Sequence, residues 1–403
     1  MTPSSLHASR SQKPRNTVVP SGALRATLVG SESAFHALAA QWDRLVDGME
    51  DTNVFLRHEW FDAAWQWAKC DAELWLVRID DGQRLVGLAP LVRRQPRTRL
   101  GPMRELSFLT VPDTQYCDVL TLPRDRPSVL DALVRFLHET RKQWDVVRLT
   151  YLQERSATLS SVPRLAAAAG LRWCIASQGR NPGLSLAGTW SDYYGRRSRR
   201  LKKGNNLIAN RLRRGGIHVR VERYTSNESR AEEVASVLHA AADLSGRSWK
   251  DQLGVSLSHA GPRAWFERLN EHAIRAGWLS LWLLWVDNQP AAMEYQLQYN
   301  GCVHALRSDF DPAFDEYSPG TYLHWKMLEA LFDTDATLYQ MGPGNNPYKY
   351  RWAELFDPMS SLTIYSSTLI GRWLALRDQR LRPLARRLRA YRESLMPTTS
   401  DRA

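Results

Sequence analysis

Apolar and polar positions repeat along this chain in two rounds of the same order. In the first, residues 35–46 and 60–67 carry apolar side chains at helical spacing around aromatic anchors. Residues 74–79 and 84–92 then read as two strands joined across Asp80-Asp81-Gly82, a strong turn sequence. A strand near 116–122, a helix over 127–141, a strand over 145–150, a helix over 157–169 and a short strand over 173–176 complete the round. The second round opens with helices over 228–244 and 262–275. Strands over 279–286 and 291–299 follow, turning at Asp287-Asn288-Gln289-Pro290, and a strand over 303–307 comes next. A helix begins at Ser318, with Leu323, Met327, Leu328 and Leu331 on one face, and leads to a strand over 337–341. A late strand over 361–365 and a basic helix over 369–391 end the pattern. The longest apolar run, 278–286, reads as a buried strand and is far short of a membrane span.

Between the rounds, residues 191–214 favour a helix through Arg, Lys and Leu. Gly204-Asn205-Asn206 is expected to break or kink it, and Gly215-Gly216 to end it. Residues 196–214 hold nine basic residues and no acid, while 372–392 hold eight arginines against Asp378 alone. The formal charge of the whole chain is +12, so the remainder is slightly acidic and the positive charge sits in two helical segments. Two readings stay open: solvated faces, or contact with an anion such as cofactor phosphates, an acidic lipid surface or RNA. Aromatic residues do not interleave with the arginines of 196–214, which argues against base stacking there.

A chain of 403 residues, 43% apolar and with 16 tryptophans, suits two domains with real cores. The expected division is a leader without regular structure over 1–22, a first unit over 23–190, the connecting helix over 191–214, a second unit over 215–368, and a basic helix and tail over 369–403. The leader is rich in Ser, Pro and basic residues and has no hydrophobic segment, unlike a secretory signal. Cys70, Cys117, Cys174 and Cys302 stand far apart, which argues against a disulfide framework and a zinc site. A cytoplasmic protein without a metal is expected.

The densest chemistry is Arg307-Ser308-Asp309-Phe310-Asp311-Pro312, then Tyr317-Ser318-Pro319-Gly320-Thr321, then Gly342-Pro343-Gly344-Asn345-Asn346-Pro347-Tyr348-Lys349. With Ser318 as N-cap and Pro319 in the first turn, the helix start presents N–H groups and a positive dipole end at the mouth of a strand. That is either an ordinary cap or an anion site. These segments, with Trp42, Phe55-Leu56, Trp60, Ala89-Pro90-Leu91 and Ser248-Trp249-Lys250 upstream, resemble the CelD-like (BioF2-like) acetyltransferases. These form a branch of the GNAT acyltransferase superfamily associated with bacterial cellulose and exopolysaccharide loci, and are similar to the FemABX peptidyltransferases. The resemblance covers most of residues 35–365. It implies an α/β fold with a mixed sheet and two tandem GNAT-like domains, the second carrying the cofactor site. Where the second round has its Ser-Pro-Gly, the first has Pro123-Arg124-Asp125-Arg126-Pro127-Ser128, with no glycine to admit a phosphate. The fuller Arg/Gln-x-x-Gly-x-Gly/Ala loop of the superfamily is absent from the sequence.

The resemblance further implies N-acyl transfer from acetyl-CoA or a longer acyl-CoA to an amine on a small molecule, amino sugar or exopolysaccharide precursor. Ser318, Gly320 and Thr321 then cradle the pyrophosphate, with Arg307 and Lys349 as further cofactor contacts. For Lys349 the other reading is an exposed loop lysine. Asp309 and Asp311 are expected on the loop between strand and cradle. Asp309 would hold or deprotonate the amine and Asp311 would contact substrate; the other reading for both is a turn that holds Pro312. Tyr317 is a catalytic candidate, a tyrosine being a suitable proton donor to the leaving thiolate. Glu294, a third, lies on a strand among Ala292, Met293 and Tyr295, facing either solvent or a pocket. Trp249, Lys250 and Tyr348 would shape the acceptor site. One alternative is a FemABX-like transferase using aminoacyl-tRNA, motivated by the tandem halves and the basic run, although no long charged helical arm is present. The other is a non-catalytic accessory protein of polysaccharide synthesis whose final helix (Trp373, Leu374, Leu381, Leu384 and Leu388) lies on an anionic membrane.

Overall fold

A computed structural model describes residues 24–98, 101–344 and 346–381. The leader over 1–22 and the end of the helix expected over 369–391 lie outside these residues. The first half holds strands β1 (Arg25–Val29), β2 (Ala72–Leu74), β3 (Leu76–Asp81), β4 (Arg84–Ala89), β5 (Leu91–Arg94), the short pair β6 (Arg97–Thr98) and β7 (Gly101–Pro102), β8 (Glu105–Phe108), β9 (Leu120–Thr121), β10 (Val146–Gln153) and β11 (Arg172–Ser185). Its helices are α1 (Glu32–Ala37), α2 (Ala39–Asp47), α3 (His58–Ala68), α4 (Arg126–Glu139) and α5 (Ala157–Ala168). The second half runs α6 (Trp190–Gly195), α7 (Arg199–Arg214), β12 (Val219–Thr225), α8 (Ala231–Arg247), α9 (Ala260–Ala276), β13 (Leu279–Val286), β14 (Gln289–Tyr299), β15 (Cys302–Phe310), α10 (Pro319–Leu331), β16 (Leu338–Gln340), α11 (Pro347–Trp352), β17 (Leu355–Tyr365) and α12 (Leu369–Leu376).

The layout of the two rounds is visible in the strand order. A four-stranded sheet, β1-β3-β4-β9, repeats the order β12-β13-β14-β15, and β9–α4–β10 matches β15–α10–β16. The meander β13–β14–β15 follows from local sequence. Asp287 and Asn288 (φ 47° and 65°), and Asn300 and Gly301 (φ 48° and 72°), make two-residue turns whose twist suits a hairpin. Side chains then alternate between two cores. Leu281 and Leu283 enter one, while Trp282, Leu284 and Val286 enter the other, so β13 is apolar on both faces.

Two elements depart from expectation. In place of a short strand over 173–176, β11 is fourteen residues long and lies between β16 and β17, while β17 lies between β11 and β10. Both halves thereby share one eleven-stranded mixed sheet, β12-β13-β14-β15-β16-β11-β17-β10-β8-β5-β2. Gly179 and Pro182 inside β11 hide it from pattern reading, and the pairing on both sides compensates. Helix α7 is unbroken through Gly204-Asn205-Asn206. Leu201, Asn205, Ile208 and Leu212 form its buried face, and the Asn205 amide donates to the Tyr194 hydroxyl at 3.1 Å. Packing of that face outweighs the weak propensity of three residues. Gly215 and Gly216 (φ 65°) end the helix as expected. Of the strand expected over 116–122, only Leu120–Thr121 pairs.

The halves also meet through α3 and α9. Asp62, buried in α3, accepts from His272 Nε2 at 2.7 Å and Arg268 Nε at 2.6 Å, both on α9, and lies 3.0 Å from His36 Nε2. Burial alone would raise its carboxyl. The hydrogen bonds from His272 and Arg268 outweigh burial and hold it well below the usual carboxylate range. Asp62→Ala strands these donors, and we predict a loss of about 3 kcal/mol in urea unfolding at neutral pH. A group with a lowered folded value stabilises fully above its unfolded value of about 3.9 and loses that contribution progressively as pH falls from there through its folded value. The difference between wild type and variant should therefore shrink below about pH 4.

Candidate active site

Strands β15 and β16 run parallel for three residue pairs, Cys302 with Leu338, Val303 with Tyr339 and His304 with Gln340. Beyond them β15 continues along β14 to Phe310. The chain after β16 is drawn the other way, the Met341 N–H donating to Pro182 O of β11 at 2.8 Å. It then turns through Gly342 (φ 77°) and Gly344 (φ 134°), conformations that glycine alone adopts freely. Gln115, from the first half, wedges the fork. Its Nε2 donates to Ala305 O at 2.8 Å and its Oε1 lies 3.4 Å from His304 Nδ1. A Cβ on Gly342 would approach Ala305 O and Gln115 Nε2 to 3.4 Å each, so the turn can pass only closely over the wedge. Burial drives the His304 imidazole down to about 3, which keeps it neutral in the floor.

Above the fork opens a cleft of about 550 Å³, of a size suited to a small ligand or part of a larger one. Glu294 of β14 faces it, not solvent, and is almost wholly buried. Its Oε1 lies 3.1 Å from His324 Nδ1 of α10, and its Oε2 accepts from Ser308 Oγ at 2.7 Å. Ser308 also hydrogen-bonds the Tyr348 hydroxyl on α11. A connected row, His324–Glu294–Ser308–Tyr348, thus spans the cleft wall. The buried His324 Nε2 has no hydrogen-bond partner among the described residues. Burial chiefly, with the Glu294 charge adding, raises the Tyr348 hydroxyl and keeps it protonated at neutral pH.

Lys349 is a buried residue of α11, and its Nζ donates to Gly342 O at 2.9 Å, tying the glycine turn to the helix. Burial pushes its amine down to about 8, the nearby Lys250 assisting and Glu294 and Asp113 opposing. Lys250 and Trp249 line the cleft as well, with Trp249 exposed at 54%.

Several expected positions are corrected by the geometry. Asp309 lies within β15, its side chain closed to solvent, and Lys250 Nζ stands 2.5 Å from its Oδ1. Its carboxylate thus sits in the cleft wall beside Lys250 and not on the loop after the strand, and neither oxygen has a hydrogen-bond partner among the described residues. Asp311 lies outside the cleft lining. It accepts from the Ala313 N–H at 2.9 Å, closing the turn that contains Pro312, and pairs with Arg247 at 2.5 Å. Arg307 lines the cleft from a buried position, 3.2 Å from Asp113 and donating to Val255 O at 2.9 Å, with Trp67 and Trp265 rings against its guanidinium, and its Nη1 has no hydrogen-bond partner among the described residues. Tyr317 ends the 3-10 turn Pro312–Tyr317 and does not line the cleft, because that turn carries it away before the chain reverses at Ser318. Ser318 itself adopts φ 49° and ψ 54° and its hydroxyl does not cap α10. Its carbonyl instead accepts from the Thr321 and Tyr322 N–H groups, each at 3.1 Å. Pro319 has no N–H, so Gly320 carries the one first-turn N–H not turned back on Ser318. Ser318, Gly320 and Thr321 all line the cleft, but the cradle is narrower than the sequence suggested.

His324 and Asp113 were missed in sequence. His324 falls on the apolar face of α10, one residue after Leu323, where it reads as core. Asp113 comes from the other half, and only the assembled sheet places it here.

The first half keeps a smaller cleft of about 260 Å³ beside β9 and the end of β10. Its own carboxylate occupies the helix start there. Asp118 accepts from Ser156 Oγ at 2.6 Å and from Thr158 Oγ1 at the start of α5. Burial raises this carboxyl, and Arg126 and Arg155 line the same cleft.

Residues 197–350 match the family model described as an acetyltransferase (GNAT) domain. An acyltransferase domain of the GNAT type thus lies in the second half of the chain. Its fold is similar to that of FemX, at 11% identity and a TM-score of 0.51, over 80% of this chain and 95% of that one. It is equally similar to the C-terminal domain of a putative lysylphosphatidylglycerol synthetase from Agrobacterium fabrum, at 12% identity and a TM-score of 0.51, over 84% of this chain and 95% of that one. A conserved protein of unknown function from Bacteroides thetaiotaomicron aligns at 12% identity and a TM-score of 0.50, over 81% of this chain and 97% of that one. No curated protein matches the chain. Among the described residues there is no group of side chains suited to a metal ion, and no helix long and apolar enough to cross a membrane.

The carboxylate row gives a direct stability test. Glu294→Leu leaves Ser308 Oγ and His324 Nδ1 without their acceptor inside the wall, and should lower unfolding free energy by about 1–3 kcal/mol. Glu294→Gln keeps an acceptor oxygen and should lose clearly less. Equal losses in urea denaturation would mean that the row contributes nothing as a hydrogen-bonded unit.

Proposed function

We propose that the cleft above the β15–β16 fork transfers an acyl group from acetyl-CoA or a longer acyl-CoA to an amine. The observation that carries this reading is the cleft itself. It is the larger of the two fork clefts, it is open at a glycine-bearing helix start, and its wall holds a connected set of acid–base groups. The residues present suit such a donor. The start of α10 at Gly320 and the side chains of Lys349 and Arg351 offer positive ends for a pyrophosphate, and β15 forms a wall for an extended chain. Bound there, the donor supplies a thioester whose carbonyl carbon takes the amine and whose sulfur leaves.

The chain supplies the proton handling. Glu294 holds the His324 ring through Nδ1, which leaves Nε2 as the atom able to take the proton the amine loses. Tyr348, protonated at neutral pH and bonded to Ser308, is placed to give a proton to the departing sulfur and replaces Tyr317 in that role. Trp249 and the Asp113 edge border the acceptor side. An amino sugar or exopolysaccharide-related amine is the acceptor class we favour, on the motif resemblance to the CelD-like branch.

An aminoacyl-tRNA donor is a second reading, favoured by one surface. Arg199, Arg200, Lys203, Arg211, Arg213 and Arg214 are exposed on α7, whose Leu201 lines the cleft. A filter-binding titration with bulk tRNA at two salt concentrations separates the readings. Affinity falling steeply with salt, with no acyl-CoA binding, would favour tRNA.

Calorimetry with acetyl-CoA and longer acyl-CoAs tests the first reading, which predicts saturable binding. Gly320→Asp should weaken it at least about tenfold by placing a charge at the helix start. A Cβ at Gly320 would stand 3.5 Å from Phe310, an ordinary contact, so the fold should tolerate the change. Unchanged affinity in the folded variant would move the donor elsewhere.

A further inference from the structure

Helix α12 is locked to the body by one face and leaves the other apolar face bare. Gly371, Leu374 and Ala375 are buried, and Leu374 and Ala375 pack in a small core with Met103, Val146 and Tyr365. A Cβ on Gly371 would stand 2.6 Å from Ser366 O and 2.8 Å from Asp145 O, so the helix sits directly on the strand ends. Thr368 caps it through the Gly371 N–H at 3.1 Å and donates to Asp145 Oδ1 at 2.7 Å. Asp145 is held in turn by Arg104 at 2.9 Å. The attachment is rigid and specific.

On the opposite face, Leu369 is 86% exposed, Trp373 38% and Leu376 41%. Their spacing places them together on one side of the helix. Arg372 flanks them and is exposed, with no acidic partner among the described residues. The Arg377 guanidinium lies 5.2 Å from the Trp373 ring and pairs with Asp378 at 2.8 Å, and Arg380 and a 48%-exposed Leu381 follow. Five more arginines occur between 382 and 392. Leu374, which sequence spacing assigned to an outward stripe, is part of the core.

We propose that this outer face of α12 docks the protein on an anionic bilayer surface. Leu369, Trp373 and Leu376 would enter the headgroup–acyl boundary while the flanking arginines pair with lipid phosphates. Charge decides among possible occupants. A second copy would bring the same arginines face to face, and like charges at that distance repel. An anionic surface instead neutralises Arg372 and Arg380, while Arg377 is already paired with Asp378. This inference does not depend on the identity of the acyl donor.

The test uses the full chain in sedimentation with vesicles. Mixed phosphatidylcholine–phosphatidylglycerol vesicles should carry it down, and pure phosphatidylcholine vesicles should not. The triple variant Leu369→Ser, Trp373→Ser, Leu376→Ser should lose at least about tenfold in partitioning with little change in thermal unfolding. Arg372→Gln with Arg380→Gln should weaken binding and flatten its salt dependence. Wild-type protein remaining in the supernatant with anionic vesicles would overturn the proposal, as would a triple variant that still sediments. A wild-type dimer in solution that the triple variant abolishes would overturn it too, because the face would then belong to a second copy.

Discussion

The brevity of the β15–β16 pairing is the constraint on which the site depends. Two parallel strands that stay in register leave no room between them. Here the register lasts three pairs before β14 holds one strand and β11 draws the other away. An open fork exposes backbone polar groups, and these must find partners. Gln115 supplies one at Ala305, and Lys349 caps the carbonyl of Gly342. Once the fork is wedged at its base, the space above it can remain a cleft without collapsing. The same wedge comes from the first half, so that half participates in the site.

Fusion of the halves has a second consequence. Because β11 and β17 are interleaved, neither half can shift without breaking ladders in the other. The Asp62 cluster between α3 and α9 adds a buried electrostatic tie on the helical side. Rigidity of this kind suits a site whose acid–base row extends from β14 and β15 to α10 and α11. A row of hydrogen bonds at 2.7–3.1 Å tolerates little relative movement of the elements that carry it.

Much of the architecture was legible because it is local. The hairpin turn at Asp287-Asn288, the apolar face of α10 and the glycine stop of α7 are each written in a few adjacent residues. What was not legible is what long-range pairing decides. The length of β11 depends on strands far away in sequence, and its glycine and proline disguise it. Glu294 could be assigned to a strand but not to a face until α10 covered it. Asp309 carried the right chemistry at the right place in the motif, yet strand β15 runs three residues further than its apolar pattern suggests. Lys250, from another element, then neutralises the carboxylate. His324 shows the opposite failure, a polar residue on an apolar face whose meaning appears only beside Glu294.

Hydrogen–deuterium exchange with and without acetyl-CoA tests the central claim most directly, since it asks which fork takes the donor. The account predicts slowed exchange in 305–310, in the first turn of α10 and in 341–349, with 116–121 and 151–158 unchanged. Protection confined to 116–121 and 151–158 would contradict it and assign donor binding to the first half.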